Sequence, residues 1–360
     1  MKPQLQVGLI GYGFAGRTFH APVITSVPGL RLRKVVERRN EHSKERYPWV
    51  DVVKSAEALY ADPEIDLIIV TTPSTHHVEF VRNALNAGKH VVVEKPFTAT
   101  TAEADELIQL AKEKNKMLSV FHNRRWDGDF MTIKELLQKN VLGRIRECEF
   151  QWNRFNPIAS GNNWRDQAGT GTGVFYDLGV HLLDQAVCLF GIPDTISAKI
   201  ESQRNNSVTH DYFDVTLGYE DNLQVRLRSS PFVRIESPRY ILYGENGSFI
   251  KFGVDPQERA LINGQSPATN GQWGKEAEDR WGDIYTSIGQ LTLKGKIETL
   301  PGAYQDYYQN VYEHIMESVE LEVKPEEARL NIQLIERALQ SNQKGRTLFV
   351  HEKNALKGRG

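Results

Sequence analysis

The feature that most constrains this chain is a glycine pattern that follows a short apolar segment near its start. Residues 7–10 predict a buried strand, and Gly11, Gly13 and Gly16 follow with G-x-G-x-x-G spacing before a helical pattern begins. In this context the first glycine allows a tight turn, the second lets the backbone approach a pyrophosphate, and the third lets the helix pack closely on the strand. The pattern predicts a dinucleotide-binding turn; the alternative is a glycine-rich turn in another kind of α/β protein.

Composition limits the classes of function. The 360 residues suffice for two domains, and a net charge of -2 offers no attraction for nucleic acid. The two cysteines, Cys148 and Cys188, lie in apolar patterns, so we expect buried free thiols and neither a disulfide nor a metal site. No apolar stretch is long enough for a secretory signal or a membrane span, so we expect a cytoplasmic protein without a membrane partner.

Apolar runs alternate with helical patterns over the first third of the chain. Thr100 and Glu103 fit a capping box at the start of one of these helices. The alternation predicts a doubly wound parallel sheet, in which ligands lie at the carboxyl ends of the strands. The six predicted strands are residues 7–10, 30–36, 50–53, 65–71, 91–93 and 117–121.

The pattern changes after His122, where short strands follow one another with few intervening helices. This favours an α+β domain with a large, open-faced, mostly antiparallel sheet, so we divide the chain into residues 1–123 and 124–360. Residues 253–300 are rich in glycine, asparagine and charge and predict a long loop. The predicted strands are 145–155, 195–203, 211–219, 223–229, 239–243 and 247–252, and the predicted helices are 129–139, 177–190, 303–319 and 326–342.

Lys95 is the first candidate for chemistry. It follows a predicted strand within Glu94-Lys95-Pro96. At the carboxyl end of that strand its ammonium would lie near the nicotinamide end of a dinucleotide, where it could hydrogen-bond a substrate hydroxyl or a developing alkoxide. The structural alternative is a solvated lysine on the rim of the sheet.

A predicted helix carries the second candidate group. Asp177, His181 and Asp184 have i, i+4 and i+7 spacing, which places them on one face. A histidine titrates near neutral pH and suits proton removal from an alcohol, while Asp177 could orient the substrate or the histidine. The alternative is a histidine satisfied by packing. With one histidine on this face we expect no metal.

These residues resemble the Gfo/Idh/MocA oxidoreductase family over nearly the whole chain. The resemblance implies a Rossmann domain, a second domain whose sheet often mediates oligomerisation, and a catalytic trio of Lys95, Asp177 and His181. We therefore expect a homodimer or homotetramer formed through the second-domain sheet. The motifs that carry the resemblance are Gly11-x-Gly13-x-x-Gly16, Thr72-Pro73 with His77, Glu94-Lys95-Pro96-Phe97 and Asp177-x-x-x-His181-x-x-Asp184.

The end of the second strand bears on the choice of cofactor. A carboxylate there binds the ribose of NAD, whereas an arginine accommodates the 2′-phosphate of NADP. Glu37 favours NAD, but Arg38 and Arg39 follow it, and two guanidiniums favour NADP. We expect NADP and leave NAD open. The residues expected to bind the cofactor are Gly11, Tyr12, Gly13, Phe14, Ala15, Gly16, Arg38, Arg39, Thr71, Thr72, Pro73, His77, Glu94 and Lys95.

Further runs are similar to those of bacterial NADP-dependent scyllo-inositol dehydrogenases, namely residues 121–130, 164–165, 176–178 and 211–213. The similarity implies hydride transfer between NADP(H) and a secondary hydroxyl or ketone of a cyclic polyol, with scyllo-inositol as the substrate. Another sugar, a dihydrodiol, or a dinucleotide-binding sensor without catalysis are the alternatives. The residues expected to contact the polyol are Arg124, Trp126, Asn153, Trp164, Arg165, Tyr176 and Tyr212, although core packing is an equal alternative for Trp164 and Tyr212.

Overall fold

A computed structural model describes residues 4–159, 169 and 171–351, and these residues form two compact units. The first unit comprises residues up to Met131 together with Asp255–Glu276 and Leu300–Ile332. The second comprises Thr132–Val254, Ala277–Thr299 and the residues from Gln333 onward. Two segments from the later part of the chain thus pack with the first unit, whereas the predicted division assigned all of residues 124–360 to the second domain.

The α-helices follow the predicted order except for two that were not predicted, His42–Arg46 and, in the segment predicted to be a loop, Pro256–Ile262. Thr100 accepts the N–H of Glu103 and the Glu103 carboxylate accepts the N–H of Thr100, which confirms the predicted capping box. The α-helices of the described residues are α1 (Ala21–Ile24), α2 (His42–Arg46), α3 (Glu57–Tyr60), α4 (His77–Asn86), α5 (Thr101–Glu113), α6 (Gly128–Gln138), α7 (Val180–Phe190), α8 (Pro256–Ile262), α9 (Tyr304–Glu317) and α10 (Pro325–Lys344).

The first unit contains a parallel sheet of six strands in the order β3-β2-β1-β4-β5-β6. This is the predicted doubly wound arrangement, and its central strands are apolar because both faces are covered. Tyrosines of α9 pack into the core of this unit. The strands are β1 (Leu5–Ile10), β2 (Leu30–Val36), β3 (Asp51–Val53), β4 (Leu67–Val70), β5 (His90–Val93) and β6 (Leu118–Val120).

The second unit contains a nine-stranded sheet in the order β14-β13-β12-β11-β7-β10-β9-β8-β15, which is antiparallel except for the pair β7 and β10. This confirms the predicted mostly antiparallel sheet. The strands are β7 (Ile145–Gln151), β8 (Thr195–Glu201), β9 (Tyr212–Gly218), β10 (Gln224–Ser229), β11 (Pro238–Gly244), β12 (Gly247–Phe252), β13 (Gly282–Ile288), β14 (Leu291–Ile297) and β15 (Leu348–Phe349).

The prediction of a long loop over residues 253–300 is wrong. The segment contains α8 and the hairpin of β13 and β14. Asp255 starts α8 by accepting the main-chain N–H of Gln257, and Pro256 occupies the first turn, where its missing N–H costs nothing. Side chains of β14 are almost all exposed, so this strand lacks the apolar alternation that would have revealed it.

The two cysteines differ in environment. Cys148 is buried in β7 as predicted, and burial raises the pKa of its thiol. The same prediction is wrong for Cys188, which is exposed in the last turn of α7. That helix buries residues from Val180 to Ala186, but its final turn leaves the core. Among the described residues, no helix combines the length and apolar character needed to cross a membrane.

Candidate functional site

In the first unit, the glycine turn has the geometry that a bound phosphate requires. Gly11 has φ of 98°, and a Cβ on Gly16 would lie 2.2 Å from the carbonyl oxygen of Gly11. A Cβ on Gly13 would meet nothing within 4 Å, so the turn leaves open space at this residue. The Thr71 hydroxyl fixes the turn from β4 by donating to the carbonyls of Ile10 and Gly11. These residues fit a dinucleotide pyrophosphate.

The helical segment after the turn contains a π-helical stretch, Gly16–His20, which continues into α1. Pro22 stands in the first turn of α1, where proline is tolerated, and the helix type changes directly before this turn. A π-turn inserts an extra residue, and such turns are frequent at functional sites. Of the other residues expected at the cofactor, Phe14 is exposed, whereas Tyr12 and Ala15 are half-buried.

The carboxylate of Glu37 has two main-chain hydrogen-bond partners that the sequence did not reveal. One carboxylate oxygen accepts the main-chain N–H of His42 and the other accepts that of Ser43, each over 2.9 Å. These N–H groups begin α2 and have no partner within the helix, so the buried carboxylate caps it. Arg38 and Arg39 follow and are exposed.

His77 joins two loops that follow neighbouring strands. Its Nδ1 lies 2.9 Å from the carbonyl oxygen of Pro96, and its Nε2 lies 3.0 Å from that of Thr72. Burial lowers the pKa of His77, although both carbonyls act in the opposite direction. The imidazole thus holds together the loops after β4 and β5. Pro73 is exposed and Thr72 is half-buried in the first of these loops.

Glu94 and Lys95 directly follow β5. One oxygen of Glu94 accepts the main-chain N–H of Lys95 over 2.9 Å, and the other lies 2.8 Å from Nε2 of His20. Burial opposes ionisation of Glu94, but the hydrogen bond from His20 and nearby positive charges hold its pKa below the usual value. The side chain of Glu94 is therefore an ionised carboxylate that is hydrogen-bonded to the main chain of Lys95.

In the second unit, the predicted catalytic helix has a π-helical first turn. Asp177 lies in that turn, Phe175–Gly179, and His181 and Asp184 lie in α7. His181 is buried and its ring packs against Trp152, with centroids 5.8 Å apart and planes inclined by 36°. The guanidinium of Arg239 lies 3.8 Å from the centroid of the same indole. The arrangement is an aromatic and cationic packing site around the candidate base.

The residues expected to contact the polyol have varied surroundings. In the first unit, Arg124 is buried in ion pairs with Asp127 and Glu258, and Trp126 packs edge-on against Tyr307. In the second unit, Asn153 donates to Gln151 and Ser237 and accepts from Ser230, while Tyr176 and Tyr212 are buried. Trp164 and Arg165 lie outside the described residues. Contact of these residues with a polyol stays a prediction.

Three buried residues near the candidate residues escaped the reasoning from sequence. His20 contacts Glu94, Tyr308 contacts His20, and Arg239 contacts Trp152. The i, i+3, i+4 spacing of Tyr304, Tyr307 and Tyr308 in α9 indicates a buried helical face, but no spacing pairs that face with His20. Each contact joins residues that are far apart in the chain.

Family models match both parts of the chain. Residues 5–122 match the model described as the oxidoreductase family, NAD-binding Rossmann fold. Residues 134–350 match that of the oxidoreductase family, C-terminal alpha/beta domain. Together these two models, which share the Gfo/Idh/MocA designation, cover most of the chain.

Similar proteins extend over nearly the full length. Among them is scyllo-inositol 2-dehydrogenase (NADP(+)) IolW of Bacillus subtilis, which is 40% identical over 96% of this chain and 96% of its own. The oxidoreductase YdgJ of Escherichia coli is also 40% identical, over 97% of this chain and 100% of its own. The solved structure of the oxidoreductase yvaA from Bacillus subtilis has a TM-score of 0.93 and 40% identity, covering 97% of this chain and 99% of its own.

Proposed function

Because this chain belongs to the Gfo/Idh/MocA oxidoreductase family, we propose that it is an NADP-dependent dehydrogenase of cyclic polyols with scyllo-inositol as its substrate. In this proposal one secondary hydroxyl becomes a ketone, and the reverse reaction consumes NADPH. The substrate is inferred from the relative named scyllo-inositol 2-dehydrogenase (NADP(+)). The family membership establishes an oxidoreductase with an NAD(P)-binding domain; the polyol and the preference for NADP are the proposal.

The observation that carries the choice of NADP is the position of the Glu37 carboxylate. Both of its oxygens accept main-chain N–H groups at the start of α2. The carboxylate is buried and each oxygen already accepts an N–H at the start of α2, which favours a structural role over contact with the ribose hydroxyls. Arg38 and Arg39 are exposed directly after it, and guanidiniums suit a 2′-phosphate.

The proposed chemistry divides between three side chains. The dinucleotide, when bound, would supply the hydride acceptor, and the glycine turn together with Arg38 and Arg39 would hold it. Lys95 hydrogen-bonds the reacting oxygen and stabilises its negative charge as the proton leaves. His181 takes that proton as general base, and Asp177 orients the substrate and His181. The carbon loses a hydride and the oxygen loses a proton, so the products are the ketone, NADPH and one proton.

Substitution of His181 tests this assignment. His181→Ala should lower kcat by about 10²- to 10⁴-fold, the usual contribution of a general base. The dissociation constant of NADPH should stay within about twofold, because the glycine turn and Arg38 lie in the other unit. Cys188→Ala, an exposed substitution on the same helix, is the matched control. Undiminished turnover of the His181 variant would overturn the role of this residue.

We also propose that copies of this chain associate through the sheet of the second unit. The hairpin of β13 and β14 exposes large apolar side chains on one face, namely Ile288, Leu291 and Leu293, at 62%, 73% and 39%. Such a patch favours a protein interface. Light scattering with purified protein should give a dimer or tetramer, and Leu291→Glu should shift the mass toward the monomer; a wild-type monomer would contradict this proposal.

A further inference from the structure

A buried chain of hydrogen bonds ends at the main chain of Lys95. The Tyr308 hydroxyl lies 2.6 Å from Nδ1 of His20, and Nε2 of His20 lies 2.8 Å from one oxygen of Glu94. The other oxygen of Glu94 accepts the N–H of Lys95 over 2.9 Å. His20 and Tyr308 have no exposed surface, and the Glu94 side chain is 12% exposed. All four residues belong to the first unit.

The polarity of this chain follows from its ends. Glu94 is ionised and can only accept, so Nε2 of His20 carries the proton in that contact. Burial raises the pKa of Tyr308, so its hydroxyl keeps its proton and can donate to Nδ1 of His20. Each donor thus meets an acceptor from Tyr308 to the Glu94 carboxylate. A fully satisfied buried network of this kind fixes the geometry of its members.

The chain joins elements that matter for the proposed reaction. His20 ends the π-helical stretch that begins at Gly16 of the glycine turn, and Glu94 directly follows β5. The His20 ring also packs on Phe121, which follows β6, with centroids 4.2 Å apart. Tyr308 comes from α9. The hydrogen bonds of His20, together with its packing on Phe121, therefore connect the helical segment after the glycine turn with the ends of β5 and β6 and with α9.

We propose that Tyr308, His20 and Glu94 are positioning residues that hold Lys95 in its reactive placement; this inference rests on the proposed function, in which Lys95 contacts the reacting oxygen. Glu94 accepts the main-chain N–H of Lys95 and so holds the backbone at the point where the chain leaves β5. His20 fixes the rotamer of Glu94, and Tyr308 fixes the ring of His20. Small displacements of a reacting group are costly in rate even when binding is unaffected.

The neighbouring residue in α9 supplies a matched control. Tyr307 is as buried as Tyr308, and its hydroxyl donates to Ser119 over 3.0 Å. Ser119 in turn donates to the carbonyl of Val323 and not to the chain that reaches Lys95. Tyr307→Phe and Tyr308→Phe therefore each remove one buried hydroxyl and leave the ring in place. A role in packing alone predicts equal effects of the two substitutions.

The test compares Tyr308→Phe, Tyr307→Phe and the wild type in ketone reduction with NADPH. The expected result is a kcat lowered by about three- to thirtyfold in Tyr308→Phe, with the dissociation constant of NADPH unchanged, and a kcat within about twofold of wild type in Tyr307→Phe. Glu94→Gln should reproduce the loss. Equal kcat in the two tyrosine variants at equal melting temperatures would overturn the inference.

A second measurement does not depend on the substrate. The main-chain N–H of Lys95 is held by Glu94, so its hydrogen–deuterium exchange should be faster in Tyr308→Phe than in Tyr307→Phe by at least about threefold. A wild type without turnover of any polyol or ketone would refute the proposed function and leave this comparison intact. Equal exchange at Lys95 in the two variants would overturn the positioning role in either case.

Discussion

The carboxylate of Glu37 accepts the main-chain N–H of Ser43 over 2.9 Å, and its second oxygen accepts that of His42. The residues after β2 give conflicting indications of the cofactor, because Glu37 favours NAD whereas Arg38 and Arg39 favour NADP. The contact of Glu37 with α2 bears on which indication is followed. A carboxylate at this position suits NAD when it faces the ribose, but here it begins α2. The exposed Arg38 and Arg39 are then the residues available for a 2′-phosphate.

The first prediction separates Arg38 from Glu37. Arg38→Ala should raise the dissociation constant of NADPH by about ten- to fiftyfold, because a charge-assisted contact with the phosphate is lost, and should change that of NADH little. Arg31→Ala, at the other end of the same strand, is the control. Fluorescence titration measures both constants. Equal weakening for the two cofactors would mean that Arg38 does not contact the phosphate.

The second prediction concerns Glu37 itself. Glu37→Ala should lower the free energy of unfolding by about 1 kcal/mol, as loss of a helix cap does, and leave the preference for NADPH over NADH in place. Urea denaturation and cofactor titration measure the two effects. If the variant instead bound NADPH more tightly and NADH more weakly, the carboxylate would face the ribose and the cap would be secondary.

The third prediction concerns the indole beside His181. Trp152→Leu should lower kcat by about tenfold because the ring of His181 loses its packing surface, whereas Trp152→Phe should retain most of the activity. Phe150→Leu removes a buried aromatic ring from the same region, where it packs on Tyr240, and serves as the control. Steady-state kinetics with both variants at matched melting temperatures checks the prediction. A similar loss in the Phe150 variant would reduce Trp152 to a packing role.

The fourth prediction concerns His77. His77→Ala should weaken NADPH binding by about tenfold, because the loops after β4 and β5 lose the imidazole between Thr72 and Pro96. His76→Ala changes the adjacent exposed histidine and should bind NADPH like the wild type. Titration of both variants with NADPH provides the comparison. Wild-type affinity in the His77 variant would show that the loops keep their geometry without this contact.

The fifth prediction concerns stability in acid. Burial lowers the pKa of His90 from 6.5 to about 4, and its Nδ1 accepts the N–H of Met117. The unfolded chain therefore binds the proton first, so this contribution is complete above about pH 6.5 and is lost as the pH falls toward 4. Allowing for partial exposure, the loss should be about 1–2 kcal/mol. Urea denaturation of His90→Gln should show a weaker pH dependence over this interval than the wild type; identical slopes would contradict the prediction.

Reasoning from the sequence predicted the first sheet well because its patterns are local. Most of the six strands are short apolar runs and β2 alternates apolar and basic residues, while the glycine turn and the capping box of Thr100 and Glu103 are motifs within a few residues. The hairpin of β13 and β14 was missed for the opposite reason. The side chains of β14 are almost all exposed, and this strand is held by pairing with β13, which in turn pairs with β12.

The candidate site shows the same difference between features that local sequence patterns reveal and contacts made by distant segments. The position of Lys95 after a predicted strand and the spacing of Asp177 and His181 mark candidate residues in the sequence, but the contacts around them come from distant segments. Glu94 meets His20 and, through it, Tyr308, which is 288 residues away from His20 in the chain. The capping role of Glu37 depends on the path of the chain after β2, which the residue pattern did not fix.

The most direct test of the central claim is the initial rate of NADP reduction by the purified protein with scyllo-inositol, measured beside the rate with NAD at equal concentration. We expect cofactor reduction that requires scyllo-inositol and is at least about tenfold faster with NADP, the ratio that about 1.4 kcal/mol provides. A protein that binds NADPH but reduces neither cofactor with scyllo-inositol would contradict the proposed substrate. A faster rate with NAD would contradict the assignment of Arg38 and Arg39 to the 2′-phosphate.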